Sequence, residues 1–209
     1  MDLRKLFYRG GCPLCLETAA PRLALCDDCK DALVFLGEGI REHTGPTVYP
    51  LLGENALSKA MIGGLKYKRE RYWAEVFADL SAEFLFETGR RDFDAICAVP
   101  TTAKKLRLRG YNPPQEIARA LSRRIDLPVI EPLSFNRRVR DQIGLGARER
   151  AENVRGAFSA QAVSNRLLLI DDTYTTGATV SACAEALLQA GAESVTGLVM
   201  VRAKIIKGI

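Results

Sequence analysis

Leu167-Leu168-Leu169-Ile170-Asp171-Asp172-Thr173-Tyr174-Thr175-Thr176-Gly177-Ala178-Thr179 is the stretch on which the reading of this chain turns. Four consecutive aliphatics predict a strand buried on both faces. Two adjacent acids follow at its end, and then a hydroxyl-and-glycine turn that opens onto a helix. That order gathers backbone N–H groups, Thr hydroxyls and a helix N-terminus around one small concavity, which suits an anion such as a phosphate. The paired carboxylates beside it are placed to accept sugar hydroxyls or to hold a divalent cation. One capping residue would be enough to start the helix. Two acids behind a buried strand repel each other unless something joins them. The stretch therefore reads as a site for a phosphorylated, metal-bound sugar.

Working outward, residues 178–190 read as a helix ending at Gly191, and 195–201 as a last strand. Upstream, 93–99 reads as a buried strand closed by Pro100. Asn112 is placed to cap a helix with Pro113 in its first turn and Gln115 at the reciprocal capping position. Ile117, Leu121 and Ile125 line the inner face of that helix, and Leu127-Pro128-Val129-Ile130 follows as a short strand. Trp73, Val76, Phe77, Leu80, Phe84 and Leu85 recur at helical spacing. Before them, a helical segment at 56–62 meets an interruption at Gly63-Gly64, and the Gly, Pro and charge content of 36–53 predicts a linker. Residues 134–158 are polar and arginine-rich, and so long an irregular segment points to function. Strand and helix alternate, so the main body is expected to be α/β, a mostly parallel sheet flanked by helices. Ligands in such sheets bind at the carboxyl ends of the strands. The Asp171-Asp172 pair and the segment after Val99 both fall there.

Four of the six cysteines stand at Cys12, Cys15, Cys26 and Cys29, as two C-x2-C knuckles separated by ten residues. Each tight turn aims two sulfurs at one point, so the set fits tetrahedral zinc; iron and a pair of disulfides are the alternatives. A site with four thiolates is closed to substrate, which makes its role structural. It would supply the folding energy that a segment of this size cannot draw from a core of its own. The expected division is a zinc-binding module at 1–45 and the α/β domain at 46–209. Cys97 and Cys183 lie in apolar surroundings and read as small buried hydrophobes.

The 209 residues carry 30 Lys and Arg against 25 Asp and Glu, a formal charge of +5, too small a bias to announce nucleic-acid binding by itself. The cations are unevenly placed. Lys104, Lys105, Arg107 and Arg109 crowd one segment, and Arg137, Arg138, Arg140, Arg148, Arg150 and Arg155 another, a pattern that suits phosphate. His43 is the single histidine and reads as a solvated loop residue in a polar stretch, which weighs against His-dependent triads and leaves no multi-histidine metal centre. No apolar run approaches the roughly 20 residues of a membrane span. Met1-Asp2-Leu3-Arg4-Lys5-Leu6 lacks the long apolar segment of a secretory signal, so the cytoplasm is the expected location.

The strand–Asp-Asp–hydroxyl–Gly–helix run resembles the signature of type I phosphoribosyltransferases, enzymes that use phosphoribosyl pyrophosphate (PRPP). A wider set narrows the resemblance to the ComF family, associated with DNA uptake in competent bacteria. It comprises the four cysteines, Leu65-Lys66-Tyr67, Val99-Pro100 with the basic segment after it, Arg109-Gly110-Tyr111-Asn112, Glu149-Arg150 with Asn153-Val154, and Gly156-Ala157-Phe158. Thr173 and Tyr174 stand where the family usually has aliphatics, and Pro113 where it usually has Gln.

The resemblance implies a type I phosphoribosyltransferase-like fold with a small zinc-ribbon-like module. It implies that Asp171 and Asp172 take the ribose hydroxyls, directly or through Mg2+. Thr173, Tyr174, Thr175, Thr176, Gly177, Ala178 and Thr179 would hold the 5′-phosphate. Thr101, Thr102, Lys104 and Lys105 would meet the pyrophosphate, and 134–158 would form a mobile lid. The implied activity is transfer of phosphoribosyl from PRPP to an acceptor that the sequence does not identify, and no general base is assigned. The alternative is a PRPP-binding module, weakly catalytic or not catalytic, that acts in DNA uptake through single-stranded DNA or a competence helicase. Aromatics near the basic segments are few (Tyr111, Phe135 and Phe158), which weighs against a dedicated single-strand binder.

Overall fold

The computed structural model describes residues 11–16, 24–41, 45–135 and 156–203. His43 and the arginines expected between 137 and 155 lie outside those residues. The elements are β1 (Ile40–Arg41), β2 (Thr47–Gly53), β3 (Ala95–Ala98), β4 (Leu133–Phe135), β5 (Phe158–Ala160), β6 (Arg166–Tyr174) and β7 (Ser194–Arg202). The helices are α1 (Asp27–Asp31), α2 (Ala56–Tyr67), α3 (Tyr72–Glu87), α4 (Ala103–Arg109), α5 (Pro113–Ile125) and, last, α6 (Ala178–Gln189). Five strands form one sheet in the order β1-β2-β7-β6-β3. Only the β1–β2 pair is antiparallel; the rest is parallel, as the alternation of strand and helix predicts. Strands β4 and β5 form a separate antiparallel pair. Among the described residues no helix is long and apolar enough to cross a membrane.

Strand β6 lies inside the sheet, and its alternating side chains serve two layers. Leu168 and Ile170 join a core with α2, α3 and α5, which includes Met61, Leu65, Phe77, Ile117 and Leu121. Leu167 and Leu169 join a second core with α6 and the β4–β5 pair, which includes Val180, Cys183, Leu187 and Phe158. Burial on both faces explains why the strand is an unbroken aliphatic run. Cys97 and Cys183 are fully buried there, as their surroundings suggested.

Several local expectations need correction. The supposed linker at 36–53 contains β2, which pairs in parallel with β7 from Thr47↔Thr196 to Gly53↔Arg202. Glycine and proline hid it, because Pro50 is tolerated where its missing N–H is not called on and its carbonyl accepts from Gly37 N–H. The Gly63-Gly64 pair does not interrupt α2, which continues to Tyr67. At Gly64 a Cβ would lie 2.5 Å from Trp73 Nε1, so glycine here lets α2 approach α3. The 127–130 segment makes only a single parallel bridge, Ile96↔Val129. The acids do not follow the aliphatic strand but belong to it: β6 runs to Tyr174 because β7 offers partners as far as Arg202.

Candidate functional site

The carboxyl ends of the parallel strands lie at one end of the sheet, where Tyr174 and Arg202 close β6 and β7 side by side and Ala98 closes β3 opposite Ile170. A cavity of about 690 Å³ opens there. Asp171, Asp172, Thr173, Thr175 and Thr179 lie on its wall, together with Thr101, Thr102 and Lys105. The structure thus brings the two predicted segments to one place. Lys104, Tyr174, Thr176, Gly177 and Ala178 are not on that wall. Lys104 faces solvent from α4, and Tyr174 is buried in the α6 layer.

Strand alternation separates the two acids. Asp171 continues the Leu167–Leu169 side toward Cys183, and Asp172 continues the Leu168–Ile170 side toward α2. Each residue is 8% exposed. Asp171 Oδ1 accepts from the Asp172 N–H at 2.8 Å. Burial, with the Asp172 charge added, pushes the Asp171 carboxyl up to about 8. Asp172 has a cation of its own: Lys66 Nζ lies 2.7 Å from its Oδ1 and donates to Thr173 Oγ1 at 2.8 Å. Lys66 stands 107 positions before Thr173. The composition around it gives no sign of this role; only the Leu65-Lys66-Tyr67 match singles it out.

After β6 the chain turns at Gly177, whose φ of +77° is the left-handed conformation that favours glycine. The first helical hydrogen bond of α6 runs from Ser181 N–H to the Gly177 carbonyl. The amides of Ala178, Thr179 and Val180 precede it and have no acceptor within the helix. Those of Thr175, Thr176 and Gly177 donate to no backbone carbonyl among the described residues. This is a row of N–H donors at the positive end of a helix, beside three Thr hydroxyls.

Across the cavity, Thr102 caps α4 by accepting from Lys105 N–H, and α4 ends at Gly110 with a φ of +82°. Arg109 stacks over the Tyr67 ring at 5.4 Å, and both lie on the wall. Asn112 does precede α5, but its side chain makes no capping bond. Pro114 lacks one of the two amides that a cap would seek, and the Gln115 side chain turns to Glu131. Asn112 Nδ2 donates to the Val99 carbonyl at 2.9 Å, and its buried Oδ1 has no hydrogen-bond partner among the described residues; Asn112 lies on the cavity wall. Such an acceptor suits a ligand O–H or N–H, or a water. Lys66, Arg109 and Asn112 are among the wall residues that the site prediction did not include. Of the expected lid, 136–155 lies outside the described residues. Its two ends form the β4–β5 pair, where Phe135 and Phe158 meet edge to face with centroids 4.9 Å apart.

At the other end of the chain the sulfurs of Cys12, Cys15, Cys26 and Cys29 all lie within 4.8 Å of one another. Cys15 and Cys26 sulfurs are 3.8 Å apart, close to the edge of a tetrahedron with Zn–S bonds of about 2.3 Å. Partial burial and hydrogen bonding among the thiols raise the Cys29 pKa, so four thiolates at this spacing require a cation. The donor set and geometry fit structural zinc. The segment docks on the main body through the Lys30–Glu83 ion pair and a Phe35↔Leu52 bridge, with Leu33 in the larger core.

No family model matches the chain. It is 33% identical to competence protein F of Haemophilus influenzae over 110 residues, 49% of this chain and 47% of that protein. Against competence protein ComFC of Bacillus subtilis it is 25% identical over 193 residues, 91% of this chain and 77% of that protein. DNA utilization protein YhgH of Escherichia coli is 30% identical over 145 residues, 65% of this chain and 63% of that protein. The chain thus spans about half of the first of these relatives and somewhat under two thirds of the last. Among solved structures, the glutamine PRPP amidotransferase of B. subtilis aligns with a TM-score of 0.44 at 19% identity, covering 68% of this chain and 30% of that one.

Proposed function

We propose that this homologue of the ComF and ComFC competence proteins and of YhgH is a PRPP-binding, phosphoribosyltransferase-like protein. The observation that carries the reading is the pairing of two buried carboxylates with Thr175 and Thr179 on one cavity wall, the two threonines belonging to a turn whose amides donate to no backbone carbonyl among the described residues. Few ligands need both. A phosphorylated sugar offers hydroxyl donors to the acids and phosphate oxygens to the amides. The cations on the same wall (Lys66, Lys105 and Arg109) suit a further anionic group, the pyrophosphate.

In the proposed reaction a nucleophile on the acceptor bonds to the ribosyl carbon as the bond from that carbon to pyrophosphate breaks, and pyrophosphate leaves with the electron pair. Asp171 and Asp172 orient the ribose through its hydroxyls. The Thr175–Thr179 amides, with the Thr hydroxyls, anchor the 5′-phosphate. Lys105 and Arg109 stabilise the departing charge, a contribution that grows in a site shielded from water. Two carboxylates with hard oxygen donors, one of them short of counter-charge, fit Mg2+. When bound, Mg2+ supplies positive charge to the pyrophosphate oxygens. Zinc at Cys12, Cys15, Cys26 and Cys29 would hold the module expected at 1–45, whose β1 joins the sheet of the 46–209 domain, and a cytoplasmic setting keeps those thiols reduced.

Calorimetric titration with PRPP in the presence of Mg2+ tests the site. Binding is expected in the wild type and is expected to vanish in Asp171→Asn/Asp172→Asn; equal affinity in the double variant overturns the assignment. Pyrophosphate release from PRPP across candidate acceptors then tests turnover. The names of the relatives favour a second reading, in which the PRPP-type pocket serves a protein that handles single-stranded DNA or meets a helicase. For direct DNA contact, single-strand affinity should fall steeply with salt. A flat salt response removes that reading.

A further inference from the structure

We propose that Lys66 is the resident cation of the acid pair and that it changes partner on ligand binding: it holds Asp172 in the free site and turns to a ligand phosphate once a divalent cation takes that carboxylate. The inference rests on the reading of the cavity as a PRPP-type site.

The geometry is specific. Lys66 occupies the last turn of α2, where its ammonium forms an ion pair with Asp172 Oδ1 and donates a hydrogen bond to Thr173 Oγ1. Its side chain is 15% exposed and that of Asp172 11%, so the pair is largely shielded. It is not sealed, because Lys66, Asp172 and Thr173 all line the 690 Å³ cavity. The carboxylate oxygen that Lys66 holds is the kind of hard donor that a divalent cation or a sugar hydroxyl seeks. Repulsion keeps an ammonium and a divalent cation from sharing it at contact distance. A divalent cation on that oxygen displaces the ammonium.

Lysine suits this role. Its charge rides on a flexible stem with rotatable donors, whereas the planar fork of arginine is fixed to one partner geometry. Arg109 on the same wall is already held over Tyr67. Lys66 is the wall cation whose present partners belong to the acid segment itself. Displaced from Asp172, its ammonium remains in the cavity, where a phosphate is the complementary group. Ligand and divalent cation would then bind cooperatively, because the ligand phosphate gives Lys66 somewhere to go.

The test measures binding rather than turnover. Lys66→Met is expected to bind Mg2+ alone at least about tenfold more tightly than the wild type, since the competitor is gone. The same variant is expected to bind PRPP with Mg2+ at least about tenfold more weakly, since a phosphate contact is gone. A purely structural ion pair would not produce these opposite signs. Equal Mg2+ affinity, or equal PRPP affinity, in Lys66→Met overturns the proposal. If that variant does not fold, Thr173→Val carries the test: it keeps both charges, removes one anchor of Lys66, and is expected to tighten Mg2+ binding by about two- to threefold. Unchanged Mg2+ affinity there also overturns the exchange. Failure of the wild type to bind PRPP refutes the cavity reading instead, and the Mg2+ titrations still report on Lys66.

Discussion

Replacing Asp171 by Asn removes an ionisable group that the fold holds in an unfavourable charge state. The side chain is buried, its nearest acidic neighbour is the next residue, and its carboxyl is pushed up to about 8. An Asp in the unfolded chain titrates near about 3.9. Below that value both states hold the proton and the residue has no effect. Between it and about 8 the folded state binds the proton that the unfolded state has lost, so folding takes up a proton and stability falls as pH rises. Above about 8 both states are ionised and the penalty is constant. At about 1.4 kcal/mol per unit the ceiling is roughly 6 kcal/mol, and water entering the cavity beside the carboxyl lowers the expected figure to about 2 kcal/mol.

Asn keeps the acceptor for the Asp172 N–H and cannot ionise. Asp171→Asn should therefore gain about 2 kcal/mol over the wild type at pH 8, seen as a rise of about 4–8 °C in Tm. It should gain nothing below pH 4, and it should lose PRPP binding. Calorimetric melts from pH 4 to 9 with zinc saturating, with and without Mg2+ and PRPP, measure all three. A variant no more stable than the wild type at pH 8 would refute the account of Asp171 as a group held for a ligand at the expense of the fold.

Two further outcomes follow from α2 and the cysteines. Gly63 and Gly64 are neighbours in one helix, yet a Cβ at Gly63 meets nothing within 4 Å, whereas at Gly64 it meets Trp73. Gly63→Ala should stabilise by up to about 1 kcal/mol through helix propensity and Gly64→Ala should destabilise by about 1–3 kcal/mol through overpacking, both read by urea melts; equal effects would contradict the α2–α3 contact. The purified chain should carry one zinc per molecule by metal analysis, and Cys26→Ser should lower zinc content and Tm together. Zinc well below one equivalent in the wild type would contradict the four-thiolate site.

What the sequence revealed and what it hid divide along physical lines. Strand β6 was legible because burial on both faces forces an unbroken aliphatic run, and the cysteine knuckles because their spacing is local. Strand β2 was not, because its partner β7 lies some 150 residues away in the chain and its Tyr49-Pro50 step reads as a break. At Asn112 the residue type suited the cap, but Pro114 removes one of the two amides a cap can bond and the side chain turned to Val99. Lys66 shows the limit most clearly. Its role depends on α2 packing over the end of β6, a contact between segments more than a hundred residues apart, and no local pattern encodes it.

That contact also makes the two acids unequal. Lys66 reaches Asp172 directly and acts on Asp171 only at longer range, because strand alternation sends the two carboxylates to opposite layers. Neutralising them should thus move stability in opposite directions, although both changes remove one negative charge from the same cavity. Asp172→Asn leaves the Lys66 ammonium largely buried without its counter-ion, and should cost about 1–3 kcal/mol at pH 8. Asp171→Asn should gain, as worked out above. Field effects from overall charge would shift both variants the same way, so melts of the two single variants at pH 8 separate the explanations. Loss of stability in both, or gain in both, would mean that Lys66 does not distinguish the acids.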